Sequence, residues 1–319
     1  MAYYLTQKQI ETAVNRGARF LFNYCRSGDI HYVVTGSSGG LDSAITLGIA
    51  QRACWLGRKE GFGLTSVGVV LPCQTKAKAT FLGLDAIKTF GAEEILIDIS
   101  GWNDYFQTYF DWELGRSHFS GVKSIIFKTE QVLWGEWESA CLCAQGNVKA
   151  RLRMIILYDI AKKIGCQSGG IVLSTDNQSE EWMGFWTLHG DVGDIAIIQH
   201  ILKGLELYDI ARYLRVPKEI IAARPDDGLG IADGGDEAQL GASYPVVDRV
   251  MIMLIQNGFK PEGSWAQMEN LPEIEGVSPD IVKSLAARCL HTAFKRKASR
   301  IPSPTRAQLG LPAIKNIQL

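Results

Sequence analysis

One stretch of this 319-residue chain holds residue types whose spacing could do chemistry, Gly36-Ser37-Ser38-Gly39-Gly40-Leu41-Asp42-Ser43. It follows a β-branched run and precedes an apolar helical pattern, the setting in which phosphate loops are built. Gly39 and Gly40 let backbone N–H groups approach an anion with no Cβ in the way. Ser37, Ser38 and Ser43 add hydroxyl donors, and the helix start adds its positive end. Asp42 is the telling residue, because a carboxylate in an anion cradle repels its ligand unless a cation stands between them. Mg²⁺, held by one or two carboxylates plus phosphate oxygens, resolves that conflict. A plain Ser/Gly turn with Asp at a helix start would carry the same letters. The loop matches neither the Walker pattern nor the dinucleotide fingerprint.

These residues need a frame. Thr6 with Gln9 reads as a capping box, followed at helical spacing by Ile10, Val14, Ala18, Leu21 and Cys25, with Gly28 as the stop. Strands are expected at His31–Thr35, Ser66–Leu71, Ile95–Ile99 and Ile171–Ser174. Helices are expected at Ala44–Cys54, Lys76–Phe90 and 147–164. The last carries a stripe of Val148, Leu152, Ile156, Ile160 and Ile164. Apolar strands alternating with helices predict an α/β fold, a doubly wound parallel sheet with helices on both faces. Ligands are then expected at the carboxyl ends of the strands. Residues 101–145 hold Trp102, Trp112, Trp134 and Trp137 without a long period, and read as an insertion, a lid or an interface. Residues 224–235 read as a Gly/Asp-rich loop. The end of the chain, with Lys295, Arg296, Lys297 and Arg300 and then three prolines, reads as a mobile tail.

Composition removes several function classes. Lys and Arg number 33 against 34 Asp and Glu, a net charge of −1 that argues against a dedicated nucleic-acid binder. No apolar run reaches membrane-spanning length, and the start of the chain lacks a secretory pattern. The seven cysteines form no C-x-x-C pair, and only Cys141 and Cys143 lie close together. That suits reduced thiols in the cytoplasm. Asn177-Gln178-Ser179 matches a glycosylation acceptor, a coincidence in such a chain. No Ser-His-Asp or Cys-His pattern suggests a protein nucleophile.

The loop 36–43 resembles the pyrophosphate-binding loop of the N-type ATP pyrophosphatases. Further motifs narrow the resemblance to the NAD synthetases. Gly146-Asn147-Val148-Lys149-Ala150-Arg151 is similar to their G-N-x-x-A-R, and Ser174–Glu180 to their G-T-D-x-x-E. Gly184-Phe185-Trp186-Thr187 is similar to G-F-F-T, and His189–Asp194 to their Gly/Asp-rich loop. Asp236-Glu237-Ala238-Gln239-Leu240-Gly241, with Tyr244 and Asp248, is similar to the stretch before their last helices. The motifs run in order from about residue 31 to 300. One domain over 1–319 is therefore expected, elaborated at 101–145.

The resemblance implies an ammonia-dependent ligase that amidates deamido-NAD to NAD through an acyl-adenylate, releasing AMP and pyrophosphate. It implies ATP phosphates on Gly36 to Ser43 and Mg²⁺ on Asp42 and Glu180. It further implies nucleotide contact at Thr175 and triphosphate contact at Lys203. Arg151 and Asp194 would contact deamido-NAD, Asn147 and Lys295 would be further nucleotide-binding residues, and Asp191 or Asp194 would take the proton from ammonium. A cytoplasmic homodimer is implied, with no nucleic-acid or membrane partner. Free ammonia is the expected donor, since motifs beginning near residue 31 leave no room for a glutaminase. Leu188, Asp226 and Phe294 stand where the family carries a lysine, a threonine and a histidine, so deamido-NAD is expected to bind differently there, or another acid to take its place. Rival readings are another amide-forming synthetase, a sulfurtransferase using Cys141 or Cys143, or a nucleotide binder without catalysis.

Overall fold

The computed structural model describes residues 3–115, 134–226, 228–229, 234–298 and 303–317, and side chains outside 110–141 and 297–298. A parallel sheet organises it, built from β1 (Tyr32–Gly36), β2 (Thr65–Val70), β3 (Glu93–Leu96), β4 (Gly170–Ser174) and β5 (Ile195–Ala196), in the order β3-β2-β1-β4-β5. Val34 pairs with Val67 on one side and with Val172 on the other. Successive residues of one strand face opposite sides. Val33 accordingly joins one core cluster while Val34 joins another, and Ile171 and Leu173 part from Val172 in the same way.

Helices α1 (Gln7–Ser27), α2 (Leu41–Lys59) and α3 (Ala77–Phe90) contribute to the first cluster, and the capping box on Thr6 and the stop at Gly28 are both present. After β3 come α4 (Ser100–Gly115) and the long α5 (Trp134–Ile164), which contributes to the second cluster. Then follow α6 (Gln178–Met183), α7 (Tyr208–Leu214), α8 (Tyr244–Gln256) and α9 (Pro279–His291). A third cluster joins α6, α8 and α9 around Met183, Val247, Met251 and Leu285.

The doubly wound parallel fold stands, with four corrections. The buried face of α5 is Ala150, Met154, Leu157, Ile160 and Ala161, rotated from the expected stripe; of that stripe only Ile160 is buried. β-branched letters on adjacent faces blurred the period, and Ile155 on the outer face is 64% exposed. β3 starts at Glu93 rather than Ile95 and is one residue shorter than expected, with three of its four residues exposed, because it is the edge of the sheet and has one neighbour. Part of the 101–145 stretch is helical, in α4 and the start of α5; the rest lies outside the described residues. Finally, the end of the chain docks: Arg306, Leu309, Leu311 and Ile317 are buried, so its apolar letters outweigh its prolines.

Order reversal between β1 and β4 places the loops after these two strands side by side at their carboxyl ends, where doubly wound sheets open a crevice.

Candidate active site

The loop leaving β1 is shaped by close backbone packing. Gly39 has φ +84°, and a Cβ there would lie 2.4 Å from the Ala79 carbonyl oxygen of α3. A side chain would thus be excluded by conformation and by space. Ser37 Oγ donates to the Gly83 carbonyl at 2.8 Å, pinning the loop to α3, and Leu41 packs into the core. Ser37 and Leu41 therefore shape the loop from behind. Ser38 and Ser43 lie 3.2 Å apart through their hydroxyls, and Ser38 Oγ accepts from Gly40 N at 3.2 Å. No side chain caps the start of α2, which leaves its first-turn N–H groups to an anion.

Lys203 converges on this loop from a single π-helical turn, Lys203–Leu207. Such turns recur at functional sites. Its Nζ lies 2.9 Å from Asp42 Oδ2, 2.8 Å from Glu180 Oε1 and 3.7 Å from Asp236 Oδ2. It also sits 4.3 Å from the centre of the Tyr244 ring. Tyr244 donates its hydroxyl to Glu180 Oε1 at 3.2 Å and to Asp236 Oδ2 at 3.1 Å. Asn177 caps α6 and donates to Asp42 Oδ1 at 2.9 Å. The expected residues Asp42, Glu180 and Lys203 thus meet, although they come from three separate elements.

Electrostatics make this a stored-charge site. Burial lifts the Glu180 carboxyl to about 7, against the pull of Lys203 and with the push of Asp42. Burial opposes the charge on Lys203, but the surrounding carboxylates hold its ammonium well above the ordinary lysine range. Asp176 is raised well above the usual carboxylate range, first by burial and then by Asp191, Glu180 and Asp42. Among the described residues no group of three or more His, Cys, Asp or Glu is arranged to hold a metal ion. Asp42 and Glu180 still suit Mg²⁺: they are two hard oxygen donors already converging on one cation, and substrate phosphates supply the remaining ligands.

A second group surrounds residues 184–194. Arg151 Nε donates to the Leu188 carbonyl at 3.2 Å, and Thr187 Oγ1 donates to Asn147 Oδ1 at 2.6 Å. Lys295 Nζ donates to the carbonyls of Gly184 and Trp186. Asp191 Oδ2 accepts from Thr187 N at 2.7 Å. Asp194 Oδ2 accepts from Val172 N at 2.8 Å and its Oδ1 from Tyr158 at 3.2 Å, which ties it to β4 and α5. Thr175 directly follows β4, half-buried. Asp226 and Phe294 are less engaged: Asp226 closes its own turn on Gly228 N, and Phe294 is exposed. Cys143 is exposed and accepts weakly from Asn147, whereas the side chain of Cys141 lies outside the described residues.

A family model described as NAD synthase matches residues 13–299. The chain belongs to the NAD synthase family. The NH(3)-dependent NAD(+) synthetase of Methanosarcina mazei is 30% identical over 297 residues, covering 92% of this chain and 98% of that relative. That of Thermoplasma volcanium is 31% identical over 229 residues, covering 70% of this chain and 77% of the relative. Among solved structures, an NMN synthetase from Francisella tularensis shares the fold with a TM-score of 0.65 and 23% identity, over 92% of this chain and 98% of that one. An NH3-dependent NAD synthetase from Campylobacter jejuni does so with a TM-score of 0.60 and 23% identity, over 92% and 99%.

Within this family member, sequence reasoning passed over Asn177, Asp176, Asp236, Tyr244 and Asp248 as site components. Asn177 was legible: Asn-x-x-Glu is a capping pattern, and the structure shows it as one, with the same amide reaching Asp42. Asp236 and Tyr244 lay in a family-like stretch, but nothing local gave them a role, because it depends on contacts across more than 30 residues.

Proposed function

We propose that this member of the NAD synthase family is an ammonia-dependent ligase that amidates deamido-NAD. The observation that carries the reading is the meeting of Asp42, Glu180 and Lys203 beside an uncapped helix start in a chain of this family. In the first step a carboxylate oxygen of deamido-NAD attacks the α-phosphorus of ATP, and the bond to the bridging oxygen of the pyrophosphate breaks. In the second, ammonia attacks the acyl carbon, AMP leaves with the former carboxylate oxygen, and one proton is lost.

Negative charge grows on the departing pyrophosphate. The N–H groups of the loop from Gly36 to Ser43 and the Lys203 ammonium are placed to stabilise it. Mg²⁺ on Asp42 and Glu180 would supply Lewis-acid stabilisation of the phosphates. Thr175, at the end of β4, is assigned to the nucleotide. Asn147, Arg151, Asp194 and Lys295 are assigned to deamido-NAD. The proton is assigned to Asp191 or Asp194, whose carboxylates both accept hydrogen bonds from the surrounding frame.

Large apolar side chains left exposed on α4 and α5 support a homodimer. Trp102, Tyr105 and Ile155 are 71, 72 and 64% exposed there. A sedimentation mass near twice 35.2 kDa is expected. No helix among the described residues is long and apolar enough to cross a membrane, and operation in the cytoplasm belongs to the same reading.

The test is incubation with ATP, Mg²⁺, ammonium and deamido-NAD. Equal amounts of NAD and AMP are expected. Pyrophosphate release that ignores deamido-NAD would overturn the acid substrate and leave the family assignment intact.

A further inference from the structure

The ammonium of Lys203 is anchored by carboxylates that must rearrange when nucleotide and metal arrive. Its backbone must therefore be fixed by something else. Three side chains do this. Ser179 Oγ accepts from Lys203 N at 2.9 Å. Asp248 Oδ2 accepts from Gly204 N at 2.7 Å and from Leu205 N at 3.1 Å, while its other oxygen accepts from Ser179. Glu206 Oε2 accepts from Leu202 N at 2.9 Å, closing the turn on itself.

Glu206 is fully buried, and its charge is answered from the two ends of the chain. Arg306 reaches it with a two-pronged pair, Nη1 to Oε2 at 2.9 Å and Nη2 to Oε1 at 2.7 Å. Tyr3 donates to Oε1 at 2.8 Å. The same guanidinium donates to the carbonyls of His200 and Pro312, both at 2.9 Å. It thus joins the segment before Lys203, the turn itself and the docked chain end. Leu309 and Leu311 bury beside α1 and hold Arg306 in place. A planar fork matched to a carboxylate fixes orientation as well as charge, which a lysine cannot do.

We propose that Arg306 is a positioning residue for Lys203: through Glu206 it sets the turn from which the Lys203 ammonium reaches the triphosphate. The proposal rests on the reading of Lys203 as the cation that faces the triphosphate. It gives the chain end a part in catalysis that its distance in sequence conceals.

A double-mutant cycle tests it with four full-length proteins: wild type, Arg306→Met, Lys203→Ala and the double variant. Each is assayed for NAD formation and for melting temperature. Misplacing the ammonium by a fraction of an ångström is expected to lower kcat of Arg306→Met by about 10–100-fold, with the KM for deamido-NAD little changed. In the Lys203→Ala background the same substitution should lower kcat no further, because residues that act through one another are not additive. A double variant that loses the full factor again would overturn the proposal. So would Arg306→Met with wild-type kcat and only a lowered melting temperature. If Arg306→Met does not fold, Arg306→Lys replaces it in the cycle, keeping charge but losing the fork, with a smaller loss of kcat and the same non-additivity expected. Should wild type form no NAD, the functional reading fails separately, and the cycle is read on ATP affinity, which needs no acid substrate.

Discussion

The parts of the site proposed for the phosphates and for the acid meet near Asp176 but are built on different principles. On the phosphate side, charged side chains face one another: Lys203 lies within 2.9 Å of both Asp42 and Glu180, with Tyr244 and Asp236 behind them. On the acid side, side chains face backbone: Arg151 holds the Leu188 carbonyl, Lys295 the Gly184 and Trp186 carbonyls, and Asp194 the Val172 N–H. Buried charges that satisfy one another can be redistributed when a phosphate and its metal enter, so that side is poised for transition-state work. Cations holding carbonyls fix the shape of a loop, so that side is suited to recognition. The three departures from the family pattern, Leu188, Asp226 and Phe294, all fall outside the charged cluster.

That contrast can be broken by substitution. Lys203→Ala should have the largest effect, about 10²–10³-fold in kcat, the usual loss for one preorganised charge-stabilising donor. A loss confined to KM would place Lys203 in recognition instead. Arg151→Ala should raise the KM for deamido-NAD by about 10-fold or more, the scale of one charge-assisted hydrogen bond, and leave the KM for ATP within a few-fold. Equal changes in both would erase the division between the two sides. Asp194→Ala should lower stability by about 1–3 kcal/mol, because it strips a partner from the Val172 N–H, besides weakening deamido-NAD binding. Thermal unfolding measures this, and a stable but inactive variant would move Asp194 into the chemistry.

The smallest effect is on pH dependence. Burial lifts the carboxyls of Asp248 and Glu180 to about 7, against ordinary values of 3.8 and 4.5. Between roughly pH 4 and 7 the folded protein then binds more protons than the unfolded chain. Stability from these groups is full below the unfolded values and falls as pH rises through 7. The melting temperature of ligand-free protein should therefore decline from pH 5 to 8. Asp248→Asn should make the decline shallower, and an unchanged slope would locate the protons elsewhere.

Much of this was legible in the sequence, for identifiable reasons. Parallel strands buried on both faces announce themselves as apolar runs, so β1, β2 and β4 were readable. The edge strand β3 was readable in place but not in its bounds, because Glu93 and Glu94, in a strand with one neighbour, look like loop residues. The phosphate loop was readable because its glycines and Asp42 are contiguous. What the individual loop positions do was not, because Ser37 and Leu41 turn inward to α3 and the core. The chain end misled for the opposite reason. Its prolines and basic residues suggest solvent, while the isolated letters Arg306, Leu309 and Leu311 give no hint of the partner that buries them. Contacts between residues a hundred positions apart leave no local period.

The most direct measurement follows the oxygen atoms. Deamido-NAD carrying ¹⁸O in both oxygens of its nicotinate carboxylate is turned over with ATP, Mg²⁺ and ammonium, and the products are examined by mass spectrometry. An acyl-adenylate route delivers one ¹⁸O to AMP, leaves one in the amide of NAD and puts none in pyrophosphate. AMP without the label would contradict it, showing that the carboxylate oxygen never bonded to the α-phosphorus.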